Sequence, residues 1–489
     1  MADHDTSSLL LSPAIASSST DELHGPSLDS MFERCVRDLG LAAQLLQALV
    51  VCLAWFFDAQ QTFIAVFTDA NPKWHCTTGS VEASNSNSSC DICLSPKDSW
   101  AWDSPAGSHS SIVSEWGLYC APSFFSGLPS SSFFLGCIVG GFALATLADS
   151  SLGRKNTLLL SCLIMSSSSF LTAFSSNIWI YSTFRFLSGF GRANVGTCAL
   201  VLSTELVGKR WRGQVGVTGF FAFTFGFLSL PLLAYALEGC SWRSLYIWTS
   251  VPVLLYCLLL QFSVRESPRW LLVQGHKEEA AVESFMSAMK MLFEKRWCIQ
   301  RMVAVMSIGL GTGMSYYGMP LGLGNLGTNL YVSAALNALS ELPAALFTLL
   351  LIGRLNRRGA LVGFAMVSGI CSVLSVMKLK VKLSLELVSF FCACTVVNVL
   401  LMFTIELFPT CVRNSAMSLV RQALVIGGVV GSFLAVAGRN MEFLSYGVFG
   451  IVIAACGLFA ACLPETNGRS ICDTMDEEER RHHQSPPQC

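Results

Sequence analysis

The feature that most constrains this chain is a series of apolar runs, each close to the roughly 20 residues that a helix needs to cross a bilayer. Twelve such runs predict twelve spans, at 41–67, 124–148, 156–175, 178–204, 213–236, 243–263, 299–321, 329–352, 360–377, 383–405, 415–437 and 444–463. Backbone in hydrocarbon must satisfy its own hydrogen bonds, so the spans are expected to be helices and the fold all-α. Composition agrees, with 52% of the 489 residues hydrophobic, 13% charged and a mean hydropathy of +0.54. Soluble domains carry about 25% charged residues, which leaves too little polar surface here to cover a globule. The net charge of −1 offers no electrostatic footprint for nucleic acid.

The runs fall into two sets of six. Residues 1–40 read as a polar, Ser-rich cytosolic tail with Asp21, Glu22 and Asp29 and no early basic stretch, so no cleavable signal peptide is expected. Residues 41–263 form an amino-terminal six-helix bundle, 264–298 a charged central cytosolic loop, 299–463 a carboxy-terminal six-helix bundle, and 464–489 a cytosolic tail. The insertion 68–123 interrupts the first bundle. Lys73, Lys97, Arg243, Lys378, Lys380, Lys382 and Arg439 lie on its side, and the larger share of Lys and Arg lies on the other. The positive-inside rule therefore places 68–123 outside the cytosol.

Most of the twenty cysteines sit singly in apolar runs, where Cys behaves as a small hydrophobe. Cys76, Cys90, Cys93 and Cys120 cluster in the polar insertion beside the sequon at Asn87, which predicts an oxidising compartment, two disulfides of undetermined pairing and glycosylation. Free thiols, or a zinc site on the Cys90/Cys93 pair, are the alternatives.

The two sets repeat one another. ELVGKRWR (Glu205 to Arg212) closes the fourth run and ELFPTCVR (Glu406 to Arg413) the tenth, 201 residues later. LGRK follows the second run and GRLNRR the eighth; SPRW follows the sixth and PETNG the twelfth. Six plus six spans repeated in parallel is the layout of a secondary transporter with its site between the halves.

These motifs resemble the major facilitator superfamily and, more narrowly, its organic cation/carnitine transporter family in the plant branch, over about residues 35 to 470. The resemblance is carried by SEWGLYC (from Ser114), LADSSLGRKN (from Leu147), RFLSGFGRANVGTCALVLSTELVGKRWRG (from Arg185), ESPRWLLVQG (from Glu266), YYGMPLGLGNLGTNLYVSAALNALSELPA (from Tyr316) and ELFPTCVRNSA (from Glu406). Departures exist: Asp149 and Gly153 are four apart, Gly353 stands where an Asp is common, and the central loop is short. The resemblance implies a carrier in which two six-helix halves rock about a central site.

Ionisable residues inside spans are functional candidates. Asp58, in WFFDAQQTF with Gln61, offers an acid among aromatics, which suits an ammonium through charge pairing and cation–π contact. A helix-packing acid paired with an Arg is the alternative. Arg185 and Arg192 share a helical face, and the resemblance implies coupling or packing there. Glu341 is a protonatable carboxyl near the middle of its span; Arg421 suits a substrate carboxylate, for which Arg is the preferred fork. Tyr316, Tyr317 and Asn337 complete the substrate-binding candidates, with Asn325 and Asn329 as intermediate ones.

The Glu–Arg pairs lie at cytosolic span ends. Pro409 excludes one helix through ELFPTCVR, so its spacing measures a turn between spans. Glu205 and Glu406 are expected to meet Arg154 and Arg354 or Arg357, with Asp149, Arg212 and Arg413 completing a cytosolic gate.

The expected function is alternating-access transport of organic cations, carnitine or polyamine-like solutes, driven by an ion gradient or the membrane potential, a co-transported proton being one such driver. A sugar or other solute porter is the alternative. No cofactor or metal is expected. None of the seven histidines lies in a span, which argues against an intramembrane enzyme. DTSSLL (Asp5 to Leu10) resembles an acidic dileucine signal and favours the vacuolar membrane, with the plasma membrane as the alternative.

Overall fold

A computed structural model describes residues 40–77, 92–94, 96, 99–103, 107–149, 152–208, 210–267, 290–351, 356–377, 381–409, 412–439, 441–466, 475 and 479–480. The first span is Leu41–Phe63 continued by Ala65–Thr68; the second is Ser123–Asp149 and the third Arg154–Thr172. The fourth comprises Ile178–Arg192 and Val195–Glu205, followed by Arg212–Ala236 and Trp242–Ser263 as fifth and sixth. The seventh to eleventh are Arg296–Leu321, Leu330–Leu351, Arg357–Ser375, Lys382–Leu407 and Arg413–Ala437. Tyr446–Gly457, prolonged by a 3₁₀ turn at Leu458–Cys462, is the twelfth.

Eight of these helices are by length and composition apolar enough to cross a membrane on their own. The third, fourth, seventh and twelfth fall short for local reasons. The third is rich in serine, the fourth is interrupted at Ala193 and Asn194, the seventh is diluted by Gly309, Gly311, Gly313, Ser315, Tyr316 and Tyr317, and the twelfth has only 12 α-helical residues. Burial within the bundle compensates: Ser161, Ser166, Ser168 and Ser169 of the third span are all buried.

Span starts are written locally. Asn177 Oδ1 accepts the Trp179 and Ile180 amides at 3.0 Å each, and Asn356 Oδ1 accepts the Gly359 amide at 3.2 Å. Both supply the side-chain acceptor that the first free N–H groups of a helix need. Gly153 of LGRK precedes the third span at φ 80°, a backbone that L side chains rarely adopt.

The spans pack as two six-helix halves, joined where the second lies on the eleventh and the fifth on the eighth. Small residues let helices approach backbone to backbone within a half. A Cβ on Gly431 would sit 2.7 Å from the Met314 carbonyl oxygen, which fixes the seventh–eleventh contact.

One apolar core runs through both halves toward the end that bears residues 68–123, with Phe63, Phe133 and Phe227 meeting Tyr317, Phe390 and Phe449 in it. At the opposite, basic end each half keeps its own core: Val51, Cys162 and Leu202 in one, Val305, Leu400 and Phe403 in the other. Further contacts close the Cys-bearing end. Arg439 Nη2 donates to the Asp69 carbonyl at 2.7 Å, Phe67 stacks on Tyr331 at 5.8 Å, and Phe124 on Phe433 at 5.9 Å. The halves therefore meet at that end and separate toward the basic one.

The insertion departs from an all-α description in one detail. Trp74–Cys76 pairs antiparallel with Trp100–Trp102 in a two-stranded ribbon. Cys93 is bonded to Cys120 and Cys76 is disulfide-bonded as well, while Cys90 and Asn87 lie outside the described residues. Glu115 moors the insertion to the sixth span, accepting from Trp242 Nε1 at 2.7 Å and from Arg243 Nη1. Burial pushes the Glu115 carboxyl up, but those two donors outweigh it and hold it below the ordinary glutamate value.

Candidate functional site

The spans that line the seam bring Asp58, Arg192, Tyr316, Tyr317, Glu341 and Arg421 to its two walls. On the amino-terminal wall, Arg192 Nε donates to Asp58 Oδ1 at 2.6 Å and Nη2 donates to Oδ2 at 3.4 Å. The two-pronged geometry is the strong form of an ion pair, and both side chains are nearly buried, at 11% and 5% exposure. The Asp58 charge is thus matched by Arg192, the pairing that was the alternative to a cation site. Tyr317 of the seventh span stands beside Arg192, and Arg421 lies within electrostatic range of Arg192, Asp58 and Tyr317. Arg421 Nη1 donates to Thr197 Oγ1 at 2.5 Å, bridging the eleventh span to the fourth.

On the other wall, Glu341 is 7% exposed and receives only neutral donors. Tyr316 Oη donates at 2.7 Å, and Thr224 Oγ1 of the fifth span donates at 3.3 Å across the seam. Among the described residues no basic side chain pairs with it. Aromatic rings surround the Tyr316 contact: Phe390 stacks at 5.8 Å, Tyr317 meets it edge-on at 5.0 Å, and Phe63 of the first span at 6.3 Å. An acid without a cation, held at the junction of the halves by a tyrosine that packs among rings, has the chemistry to receive an ammonium group.

Other candidates point elsewhere. Gln61 turns into the amino-terminal half, where Ser169 Oγ donates to its Oε1 at 2.7 Å. Arg185 is 1% exposed, donates to the Gln61 carbonyl at 3.2 Å and lies 4.2 Å over the Phe133 ring, a packing position. Asn337 Nδ2 donates to Glu386 Oε1 at 3.0 Å inside the carboxy-terminal half. Asn325 donates to the Ala435 carbonyl and Asn329 caps the eighth span, so both hold local structure.

At the basic end the two halves carry the same hydrogen-bond network. Glu266 accepts the Arg154, Lys155 and Ser267 amides at 2.9–3.1 Å, sitting on the amino end of the third span. Glu465 accepts the Arg357, Arg358 and Thr466 amides at 3.0–3.1 Å on the amino end of the ninth. A carboxylate there meets free N–H groups and the positive end of the helix dipole. Ser267 Oγ then donates to Glu205 Oε2, and Thr466 Oγ1 to Glu406 Oε2, each at 2.6 Å. Arg154 lies 4.0 Å from Glu205, and Arg357 3.1 Å from Glu406. Each ion pair joins elements of a single half. Arg212 opens the fifth span, and Arg413 Nη2 donates to the Phe408 carbonyl at 3.5 Å. Asp149 ends the second span, its side chain outside the described set, as is Arg354.

Several polar residues were not singled out from sequence. Glu266 and Glu465 sit inside quoted motifs, but their acceptor role depends on a helix end from elsewhere in the half. Asp69, buried beyond the first span, accepts from Thr68, Ser130 and Tyr181 at 2.9–3.1 Å. Gln60 donates to Ser229 at 2.8 Å, tying the first span to the fifth. Glu386 lies near the start of an apolar run, where a single acid reads as interfacial; the signal for it is the rule that charges within spans are costly.

Comparison with known proteins places this architecture. Residues 62–306 match the family described as Sugar (and other) transporter. The fold is that of the D-xylose-proton symporter, with a TM-score of 0.63 at 18% identity, covering 87% of this chain and 99% of that one. These matches define a multi-pass membrane transporter of the major facilitator superfamily.

Within it, the chain is 56% identical to an Arabidopsis thaliana protein named "Organic cation/carnitine transporter 3", over 93% of each. It is 51% identical to the Arabidopsis "Organic cation/carnitine transporter 2", covering 94% of this chain and 95% of the other. A human protein named "Organic cation/carnitine transporter 2" is 31% identical over 77% of this chain and 74% of its own. The chain belongs to the organic cation/carnitine transporter family. These relatives are transporters, not enzymes.

Proposed function

We propose that the protein carries small organic cations, carnitine or polyamine-like solutes across a membrane by alternating access at the seam between its halves. The observation that carries this reading is Glu341, a buried carboxyl at the seam with neutral donors, one of them a tyrosine packed among aromatic rings. Its task is to receive the ammonium group. Arg421, in the same half as Glu341 and bonded across the seam to Thr197, receives the carboxylate of a zwitterion such as carnitine. Asp58 and Arg192 serve as the coupling pair, whose bridge answers to occupancy of the seam.

The closed Cys-bearing end and the separate cores at the basic end support a conformation open toward the cytosol, with 68–123 on the outside. The basic-end clusters are then the cytosolic gate machinery, each bracing the loops of its own half. An ion gradient or the membrane potential drives the cycle; one elementary charge moving through 100 mV gains about 2.3 kcal/mol. The vacuolar membrane is the proposed location, on the strength of the Asp5 to Leu10 segment, which lies outside the described residues.

Uptake of labelled carnitine, a polyamine and a simple quaternary ammonium into vesicles containing the protein tests the reading. Saturable uptake that responds to an imposed proton gradient or potential is the expected result. Transport of a neutral sugar, with all three cationic solutes excluded, would overturn it.

A further inference from the structure

A second buried carboxyl stands apart from the seam site. Glu386 lies in the second turn of the tenth span, near the closed, Cys-bearing end, and is 0% exposed. Its single hydrogen bond among the described residues comes from Asn337 Nδ2 at 3.0 Å. Asn337 is also 0% exposed. Two polar atoms of this pair have no hydrogen-bond partner among the described residues: Oε2 of Glu386 and Oδ1 of Asn337.

That pattern fits only one state of the acid. An ionised carboxylate presents acceptors alone, so both orphaned oxygens would be acceptors in a dry interior, beside an unmatched charge. Such a charge carries a large desolvation penalty even after relaxation. A proton on Oε2 turns that oxygen into a donor and removes the charge. The acid and the amide then each present one donor and one acceptor, and Asn337 is matched to the protonated form.

Among the described residues, no element around the pair supplies a hydrogen bond or charge to Oε2 that would stabilise the ion instead. From the twelfth span comes Tyr446, whose hydroxyl is committed to the Met319 carbonyl at 2.9 Å. The seventh span brings Met319, and Tyr316 with its hydroxyl on Glu341. From the ninth come Ser368, paired with Ser389, and Ser372, bonded to the Tyr446 carbonyl. On the eighth span Glu341 follows Asn337 by one turn, a like charge rather than a partner. Cys394 lies further along the tenth span itself. Lys382, one turn earlier, is half-buried at the span's start and does not supply the missing bond to Oε2.

We propose that Glu386, with Asn337 as its selecting partner, is a proton-binding site of this carrier. The proton resides on Glu386 while the Cys-bearing end is closed. When the halves part at that end and water reaches the tenth span, the O–H bond breaks and the proton passes to water, leaving the carboxylate. Acid on that side therefore favours the closed form, by at most about tenfold per pH unit for a single site. The consequence for transport rests on the carrier reading above; the protonation itself does not.

Infrared spectroscopy of the purified protein in lipid vesicles at neutral pH tests the assignment without any substrate. The wild-type minus Glu386→Gln difference is expected to show the C=O absorption of a protonated carboxyl. Loss of carboxylate absorption alone would overturn the proposal. Asn337→Ala keeps the carboxyl and gives a second reading should Glu386→Gln fold poorly. There the protonated band is expected to shift, because its hydrogen bond is gone, and an unchanged spectrum would count against the pair.

Discussion

Thr224 of the fifth span and Glu341 of the eighth are joined by a 3.3 Å hydrogen bond that crosses from one half of the molecule to the other. Rocking the halves must change this contact, so the acid proposed to hold the substrate's charge also reports which way the carrier faces. Binding energy at Glu341 can therefore bias the conformational equilibrium, because a ligand shifts two states only by its differential affinity for them.

The zwitterion reading separates Arg421 from Glu341. Arg421→Gln should cut carnitine uptake by roughly tenfold or more, the worth of one charged hydrogen bond at about 1.5–3 kcal/mol. Uptake of a quaternary ammonium lacking a carboxylate should be spared. Arg421→Lys should rescue poorly, since an ammonium cannot reproduce the guanidinium fork. Competition between the two solutes in one vesicle preparation measures the split.

Asp58→Asn leaves Arg192 buried without its anion. Breaking a buried pair from one side costs about 3–5 kcal/mol, so the variant should unfold at clearly lower temperature in detergent. The double variant Asp58→Asn with Arg192→Gln should regain part of that loss. Equal unfolding temperatures for wild type and the single variant would mean that the bridge is not structural.

Glu266 and Glu465 make matched contacts in opposite halves. Replacing either by Ala should destabilise by about 1 kcal/mol or more, the cost of leaving part-buried donors without their charged acceptor. The two losses should be of similar size and add in the double variant, as they do for distant sites. Thermal unfolding of the four combinations provides the comparison.

The Glu115 anchor gives a pH dependence with a definite sign. Its folded pKa is depressed, so its contribution is fully present above the unfolded value and is lost as pH falls through the folded one. Acidification below the ordinary glutamate range should therefore loosen the insertion from the sixth span. Limited proteolysis of 68–123 should show this in the wild type. Arg243→Gln, which removes one of the two outweighing donors, should move the loosening to higher pH.

Much of the fold was legible because hydrocarbon permits so few backbone solutions: ELFPTCVR and ELVGKRWR each prove to be a helix end, a turn and a helix start. The site was legible only in part. Residue type and depth singled out Asp58, Glu341 and Arg421, but which acid meets which base depends on helix rotation, and an apolar run does not encode that. Asp58 faces Arg192, whereas Glu341 faces Tyr316 and Thr224. Gln61 was drawn toward the site by its neighbours in sequence, yet the helix turns it onto Ser169. The Glu266 and Glu465 contacts were hidden for another reason, each being made with a helix more than a hundred residues away in sequence.

Binding of a simple quaternary ammonium to the purified protein, compared between wild type and Glu341→Gln, tests the central claim most directly. Titration calorimetry should show binding to the wild type and a loss of roughly tenfold or more in the variant, whose shape is unchanged but whose charge is gone. Equal affinity in both would show that the cation is held elsewhere.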